Sequence, residues 1–274
     1  MTTPRLSVTI STFGLDGIRK VVEMRLPQVR GVEYVVSWQQ YEGPIPRPLL
    51  KRHDVTVVRT PSIGLSENRN NAIIFARGEI ILLADDDLRY TPEQLNAVID
   101  TFDANPKVDI ASFRFSTPLY KTYPSEPTPF GKLPKGFTPA SVEIAFRREV
   151  TEEPDGLKFN PLMGLGAPYL RCGEEDLFLM QATTRGYNGK YFPITITTHT
   201  GVSTGERKIT DRGTLRGHGA CIALRRGWMW PVAVIINAMR VSRAGRAGFL
   251  TALTGMAQGA IYAMRNRKHL IPEL

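Results

Sequence analysis

Three consecutive aspartates directly after an apolar run most constrain how this chain can fold. Residues 80–83 read IILL, and Asp85, Asp86 and Asp87 follow after one alanine. Such a run between two helical patterns predicts a strand buried on both faces of a parallel sheet. Because ligands bind beyond the carboxyl ends of strands in open α/β sheets, we expect the aspartates to lie at a ligand site.

Three adjacent carboxylates repel one another unless a cation or hydrogen-bond donors compensate them. A divalent metal ion does so well, since Mg²⁺ commonly binds one or two carboxylates together with substrate phosphates. The alternative is a solvated acidic turn before a helix with Thr91 as its N-cap and Pro92 as its first residue. The triplet by itself leaves both interpretations open.

The surrounding segment, residues 64–87, resembles the core motif of family 2 glycosyltransferases of the GT-A fold. In that motif a G-x-s-x-x-R-N-x-x-I helix precedes G-[ED], an apolar strand and D-x-D. The match keeps register and spacing at Gly64, Arg69, Asn70, Ile73, Gly78, Glu79, Asp85 and Asp87. The resemblance implies a nucleotide-sugar site in which Asp85 and Asp87 hold Mn²⁺ or Mg²⁺ on the diphosphate. It also implies that Arg69 and Asp86 contact the donor.

Strands and helices alternate at a spacing that predicts an α/β fold with a doubly wound, mostly parallel sheet. We expect strands at residues 6–10, 32–36, 55–59, 80–83, 108–115, 141–148 and 191–198, and helices at 16–24 and 92–105. The resemblance implies a GT-A catalytic domain over residues 1–204, with a donor half to about 115 and an acceptor half from about 137. Residues 205–274 are predicted to form a basic, partly amphipathic helical tail.

The turns after the first two predicted strands depart from the family pattern. The family usually has a proline-tyrosine-asparagine turn and an acidic turn that contact the nucleotide base. Here Thr12 and Phe13 occupy the first position, and Trp38 and Gln39 occupy the second. Phe13 or Trp38 could stack on a base and Gln39 could hydrogen-bond its edge, whereas core packing is an equal alternative for Trp38. The identity of the donor stays open.

A second acidic group, Glu174, Glu175 and Asp176, begins a predicted helix, where carboxylates interact favourably with the helix dipole. The group also resembles the family's [ED]-D motif, in which one carboxylate is the general base for the acceptor hydroxyl. Matching the letters of the motif slightly favours Asp176. Counting back from the glycine-tyrosine pair that ends the helix favours Glu175, so both stay candidates.

His199 ends the last predicted strand, where the family places a histidine that binds the metal or contacts the diphosphate. Two carboxylates and one imidazole with open positions suit Mn²⁺ or Mg²⁺ better than zinc. Gly166, in a glycine-rich stretch before the second acidic group, is expected to let the backbone approach substrate closely. A proline-rich loop at residues 116–136 is predicted to form a lid, in which Tyr120, Lys121 and Tyr123 are candidate contacts for a sugar or lipid phosphate.

The excess positive charge lies in the tail. The chain has a net charge of +9, and residues 205–274 hold twelve basic and three acidic residues. This distribution favours a local anionic partner, and Lys208, Arg212 and Arg216 are candidate phosphate contacts. The apolar stretches at 228–239 and 249–264 are too short or too polar to span a bilayer. They predict either a helix lying on an anionic membrane surface or a hairpin packed on the catalytic domain or a second subunit.

The predicted activity is metal-dependent transfer of a sugar, with inversion, from a nucleoside diphosphate sugar to a glycan or lipid-linked hydroxyl. Family analogy suggests cell-surface polysaccharide or glycolipid synthesis. The alternatives are a GT-A-like nucleotidyltransferase and a membrane-docking, sugar-nucleotide-binding protein without transferase activity. No nucleic-acid-binding module is recognisable, so a nucleic acid partner is not expected. Because no export signal or paired-cysteine spacing is recognisable, we expect a cytoplasmic protein, either free or on the inner face of the cell membrane.

Overall fold

The described chain falls into two compact units. A computed structural model describes residues 3–116, 121–152, 154–199, 209 and 211–271. Unit 1 comprises Met1–Ile63, Glu67–Lys158 and Ala182–Gly201, and unit 2 comprises Gly64–Ser66, Phe159–Gln181 and Val202–Leu274. The predicted domain boundary at residue 204 lies outside the described residues. Residues 159–181, which we assigned to the acceptor half, cluster with the tail in unit 2.

Unit 1 is built on one mixed, mostly parallel sheet, which confirms the predicted α/β fold class. Its strands are β1 (Leu6–Phe13), β2 (Val32–Gln39), β3 (Val55–Thr60), β4 (Ile80–Asp85), β5 (Leu88–Arg89), β6 (Ile110–Ser116), β7 (Thr128–Pro129), β8 (Ile144–Arg147) and β9 (Gly189–His199). They lie in the order β3-β2-β1-β4-β8-β6-β9-β5, with β7 beside β9. The first four strands are parallel, and β8 is antiparallel to both of its neighbours.

Burial on both faces explains the sequence of the central strands. All eight residues of β2, the first seven of β1 and the first five of β4 are buried. A strand covered on both faces reads as a continuous apolar run, as predicted for residues 80–83. Since β4 ends at Asp85, the aspartate triplet begins at the carboxyl edge of the parallel strands.

The first half of the chain also contributes helices to this architecture. They are α1 (Gly14–Glu23), α2 (Arg47–Leu50), α3 (Leu65–Phe75) and α4 (Pro92–Ala104). The predicted N-cap of α4 is confirmed, because the Thr91 hydroxyl accepts the Gln94 backbone N–H and the Gln94 side chain accepts that of Thr91. Two predicted turns are wrong, because β1 continues to Phe13 and β2 to Gln39, with these residues paired in the ladder. The strand predicted at 141–148 is a 3₁₀ turn, Ser141–Glu143, followed by β8.

Unit 2 is mainly helical, which confirms the predicted helical tail. Its helices are α5 (Glu174–Thr184), whose last residues belong to unit 1, α6 (Arg212–Arg226), α7 (Trp230–Arg243), α8 (Phe249–Arg265) and α9 (Arg267–Leu270). The candidate phosphate contacts Arg212 and Arg216 lie in the first part of α6. The Asp211 carboxylate caps this helix by accepting the backbone N–H groups of Gly213 and Thr214.

Glycines allow α6 and α8 to pack at very short range. A Cβ atom at Gly219 would overlap the Met256 carbonyl, and one at Gly259 would overlap the Arg216 carbonyl. The Arg216 guanidinium donates to the Gln258 side chain over 3.1 Å and stacks on a tyrosine ring of unit 2. These contacts occupy the group that we expected to bind phosphate. Arg212 is exposed and stays a prediction, and Lys208 lies outside the described residues.

Among the described residues, one helical segment is long and apolar enough to cross a membrane by length and composition. It is Arg212–Arg243, which comprises α6, α7 and the 3₁₀ turn between them. One third of its most apolar window is buried inside the structure.

We predict that Gly78→Ala lowers the free energy of unfolding by about 1–3 kcal/mol, the usual cost of overpacking a core. A Cβ atom at Gly78 would lie 2.6 Å from the Ser7 backbone nitrogen and 2.8 Å from the Leu6 carbonyl carbon, and backbone atoms cannot easily move away. Urea denaturation would measure the change. Gly131→Ala is the matched control, because a Cβ there meets nothing within 4 Å. Equal unfolding midpoints in the two variants would contradict the prediction.

Candidate functional site

Sheet register brings the aspartate triplet beside the end of β1. Asp85 pairs with Ser11 in the parallel ladder between β4 and β1, so Thr12 and Phe13 continue along the same edge. The Thr12 hydroxyl donates to Asp86 Oδ2 over 2.7 Å, and Lys20 Nζ of α1 lies 3.9 Å from Asp86 Oδ1. The predicted site residues at the carboxyl ends of β1 and β4 therefore lie close together in unit 1.

The three carboxylates point to different partners, which separates their negative charges. Asp85 Oδ1 lies 3.5 Å from the Arg69 guanidinium, which is almost fully buried. Asp87 Oδ2 lies 3.3 Å from His199 Nε2. Because each carboxylate has its own donor or cation nearby, the chain can fold with all three at one strand end.

Pairing of β5 with β9 positions the histidine. Leu88 pairs with His199 in an antiparallel ladder, so the imidazole lies next to the residue that precedes β5, which is Asp87. The His199 ring also packs against the Phe115 ring in an edge-to-face arrangement. Asp87 Oδ1 is buried and has no hydrogen-bond partner among the described residues. A carboxylate with one unpaired oxygen next to an imidazole offers two ligands that suit a divalent metal ion.

The predicted ligand set of Asp85, Asp87 and His199 is brought together only in part. Asp87 and His199 are neighbours, whereas Asp85 faces Arg69. Within the described ranges, no group of three His, Cys, Asp or Glu side chains is arranged to hold a metal ion. Participation of Asp85 in metal binding therefore stays a prediction.

Burial disfavours the charged form of Asp86. It raises the pKa of the Asp86 carboxyl, and repulsion from the two neighbouring aspartates adds to this shift, while Thr12 and Lys20 oppose it. Gly17 makes the Thr12 contact possible, because a Cβ there would overlap the Thr12 hydroxyl. Sequence reasoning missed Gly17 and Lys20; their spacing of three residues places them on one face of α1, which was the available signal.

Two predicted donor contacts, Trp38 and Gln39, are wrong for a structural reason. The Trp38 side chain is 0% exposed, and its indole N–H donates to the Gly14 carbonyl. Gln39 is 2% exposed and its amide donates to Ser62. Neither presents a surface on which a nucleotide base could stack or pair. Phe13 is 54% exposed and is the one aromatic side chain of the predicted set that a base can reach.

The proline-rich loop is held by a buried glutamate. Lys121 Nζ donates to Glu143 over 2.6 Å, and the Tyr123 hydroxyl and the Ala140 backbone N–H donate to the same carboxylate. Glu143 is fully buried, so these donors compensate a charge that would otherwise be costly. Lys121 and Tyr123 anchor the loop, which corrects their predicted role as phosphate contacts. Tyr120 lies outside the described residues.

In unit 2, the second acidic group opens α5 in an asymmetric setting. Asp176 forms an ion pair with Arg225 of α6. Burial raises the pKa of Asp176, and Arg225 opposes this shift. Glu174 is 5% exposed and Glu175 is half-buried. One of the two candidates for the general base, Asp176, is thus ion-paired with a cation of its own unit.

Gly166 has a backbone reason to be glycine. Its φ angle is +88°, in the left-handed region that side chains disfavour. The neighbouring Gly164 has little space around it, since a Cβ there would lie 3.1 Å from the Ser66 hydroxyl and 3.2 Å from the Glu174 carboxylate. Substrate contact at Gly166 stays a prediction.

Comparison with known proteins now identifies the fold and the class of enzyme. Residues 37–150 match the model of the family described as glycosyl transferase family 2. No curated protein matches the sequence. The family match, together with the fold, confirms the predicted resemblance and the predicted class of glycosyltransferase.

Solved structures share the fold across nearly the whole chain. A fragment of S. aureus TarS, residues 1–349, is similar with a TM-score of 0.58 at 16% identity, covering 98% of this chain and 81% of that one. The same fragment in complex with UDP-GlcNAc gives 0.55 at 13%, covering 96% and 91%. The mannosyltransferase PcManGT from Pyrobaculum calidifontis, in complex with GDP-Man and Mn²⁺, gives 0.52 at 18%, covering 99% and 86%. The GT-A fold is confirmed.

We predict that Asp86→Asn raises the melting temperature at pH 7 in the presence of EDTA. A raised carboxyl pKa means that the fold disfavours the charged form, so wild-type stability falls as pH rises from the ordinary aspartate pKa through the folded pKa. The gain from the neutral amide should therefore be larger at pH 7 than in acid, where the wild-type carboxyl is protonated as well. Circular dichroism would measure it, with Asp16→Asn, an exposed carboxylate, as the control. A lower melting temperature of Asp86→Asn than of the wild type at pH 7 would contradict this prediction.

Proposed function

We propose that this glycosyltransferase, whose residues 37–150 match family 2, transfers a sugar from a nucleoside diphosphate sugar to a hydroxyl acceptor with inversion at the anomeric carbon. The observation that carries the proposal is the state of Asp87. One of its oxygens lies 3.3 Å from His199 Nε2, and the other is buried without a partner among the described residues. A buried carboxylate oxygen without a donor is costly in the metal-free protein. A bound cation would compensate it.

Asp87 and His199 are the proposed metal ligands, with Asp85 as a third once the donor diphosphate is present. When bound, Mn²⁺ or Mg²⁺ neutralises the negative charge that develops on the leaving diphosphate. Carboxylate and imidazole donors fit either ion. The complex of PcManGT with GDP-Man and Mn²⁺ supports the same chemistry for this chain.

The donor nucleotide is proposed to lie along the carboxyl ends of β1 and β4. Phe13 is exposed there and offers its ring to a base. Arg69 is almost fully buried beside Asp85, so it contributes positive charge near the proposed diphosphate position without an exposed group for direct contact. Thr12 and Asp86 bond to each other, so they shape this edge. The bound UDP-GlcNAc and GDP-Man of the two similar proteins support a nucleoside diphosphate sugar as the donor class.

Glu175 is the proposed general base. The acceptor hydroxyl is a weak nucleophile until its proton is accepted during bond formation. As its oxygen bonds to the anomeric carbon, the bond from that carbon to the diphosphate oxygen breaks and Glu175 takes the proton. The choice of Glu175 follows from counting back from the glycine-tyrosine pair that ends the helix. Asp176 forms an ion pair with Arg225. The acceptor is proposed to be a glycan or lipid-linked hydroxyl in cell-surface polysaccharide or glycolipid synthesis.

We predict that Asp87→Asn removes Mn²⁺-dependent binding of UDP and GDP and lowers turnover at least about hundredfold, since a catalytic metal contributes several kcal/mol. Isothermal titration calorimetry with Mn²⁺ and each nucleotide gives a readout that does not depend on activity. Product release from a panel of nucleotide sugars gives the rate. Asp100→Asn, an exposed carboxylate on α4, is the matched control. If Asp87→Asn binds nucleotide as the wild type does, the metal assignment is wrong.

The choice of base is tested by replacing both candidates singly. Glu175→Gln should bind nucleotide with Mn²⁺ normally while kcat falls about 10²- to 10⁴-fold, the usual contribution of a general base. Asp176→Asn should keep measurable turnover, and because burial raises the pKa of Asp176 the neutral amide should not lower the free energy of unfolding at pH 7. The reverse pattern, a stable but inactive Asp176→Asn beside an active Glu175→Gln, would transfer the role to Asp176.

A further inference from the structure

A stripe of apolar side chains runs along the solvent-exposed face of α7 and the turn before it. This α7 stripe consists of Trp228, Met229, Val232, Ile235, Ile236 and Met239. Trp228 is 85% exposed and Val232 is 59% exposed. On the opposite face, Val234 and Ala238 pack into the core of unit 2. The helix is therefore apolar on both faces, and the described part of the unit covers only one of them, a pattern that marks an interaction surface.

The charge around this stripe has one sign. From residue 212 to residue 271 the chain contains nine arginines and one lysine, and no aspartate or glutamate. Arg226 lies just before the stripe, and Arg240 and Arg243 lie at the end of α7 where the stripe stops. All three are exposed, and in the part of the chain that the structure describes none of them has an acidic partner. A partner of this surface must accept apolar side chains and cations together.

We infer that the α7 stripe docks this protein on an anionic lipid bilayer, with α7 lying in the plane of the membrane interface. Apolar side chains of such a helix enter the boundary between headgroups and acyl chains, tryptophan prefers that depth, and arginines at the edges meet anionic headgroups. The inference does not depend on the proposed transfer reaction, since none of its residues belongs to the proposed site.

The helix lies on the membrane and does not cross it. α7 has 14 residues, a length of about 21 Å, which is shorter than the roughly 30 Å of a hydrocarbon core. The longer segment Arg212–Arg243 reaches a spanning length only by including α6. The apolar side chains of α6, among them Leu215 and Leu224, are already buried in the cores of unit 2. A crossing helix would have to leave that core.

A second copy of the chain is a poorer occupant of the same surface. Two α7 stripes facing each other would bring Arg226, Arg240 and Arg243 of both copies together. The segment 212–271 holds no carboxylate to pair with them. Like charges in contact across an interface are costly, whereas an anionic bilayer lowers the electrostatic free energy of each arginine.

Vesicle co-sedimentation of the full chain tests the inference. Wild type should bind vesicles of phosphatidylcholine with phosphatidylglycerol, and bind vesicles of phosphatidylcholine alone much more weakly. Trp228→Ser with Val232→Ser should weaken binding to the anionic vesicles at least tenfold without altering the melting temperature, because both side chains are exposed. Leu50→Ser with Ile74→Ser is the matched control, since these residues are 67% and 75% exposed on unit 1.

A second pair of variants tests the contribution of the arginines to membrane binding. Arg240→Gln with Arg243→Gln should weaken binding to anionic vesicles about thirtyfold, which corresponds to about 1 kcal/mol for each arginine near the surface. Arg19→Gln with Arg47→Gln removes the same charge from exposed positions of unit 1 and should change binding little.

Three results would overturn the inference. The first is no vesicle binding by the wild type, and the second is equal loss in the test and control pairs. The third is a dimer in analytical ultracentrifugation that Trp228→Ser with Val232→Ser dissociates, while vesicle binding stays unchanged; this would assign the stripe to a second copy.

Discussion

Repulsion among three neighbouring carboxylates is the constraint around which unit 1 is arranged. The aspartates follow a strand that is buried along its length and are themselves partly buried, so water screens their charges less than it would in free solution. The fold separates them by giving each a different neighbour from a different element: Arg69 from α3, Thr12 from the end of β1, and His199 from the end of β9. The compensation is incomplete at Asp87. Because one Asp87 oxygen has negative charge that no described residue compensates, this site is suited to bind a cation together with its substrate.

The sequence predicted the central strands and the acidic edge well because local pattern and tertiary environment agree there. An apolar run such as IILL is stable in a strand only when both faces of the strand are buried. The end of that strand then determines the position of Asp85. Trp38 and Gln39 show where this reasoning fails. Nothing local indicates whether a strand continues for three more residues, and it is the pairing of Phe13 with Gln39 that carries β1 and β2 that far. The extension turns expected ligand contacts into core residues.

The sequence predicted a helical tail but did not locate α6 within it, for a related reason. Its sequence, RGTLRGHGACIALRR, is rich in glycine and arginine and therefore reads as a polar loop with low helix propensity. The glycines are needed for tertiary packing, since Gly219 and the facing Gly259 of α8 let the two helices approach closely. Packing energy of this kind is not visible in a single segment, because it depends on a partner about forty residues further along the chain.

The absence of carboxylates between residues 212 and 271 has a consequence for how the tail behaves as pH changes. Its charged side chains are nine arginines and one lysine. His218 does not add to them near neutrality, because burial and Arg246 lower its pKa to about 4. The segment therefore has no carboxylate that could lose its negative charge as the solution becomes more acidic. Acidification would not release a protein held by such a segment, whereas a rise in ionic strength would.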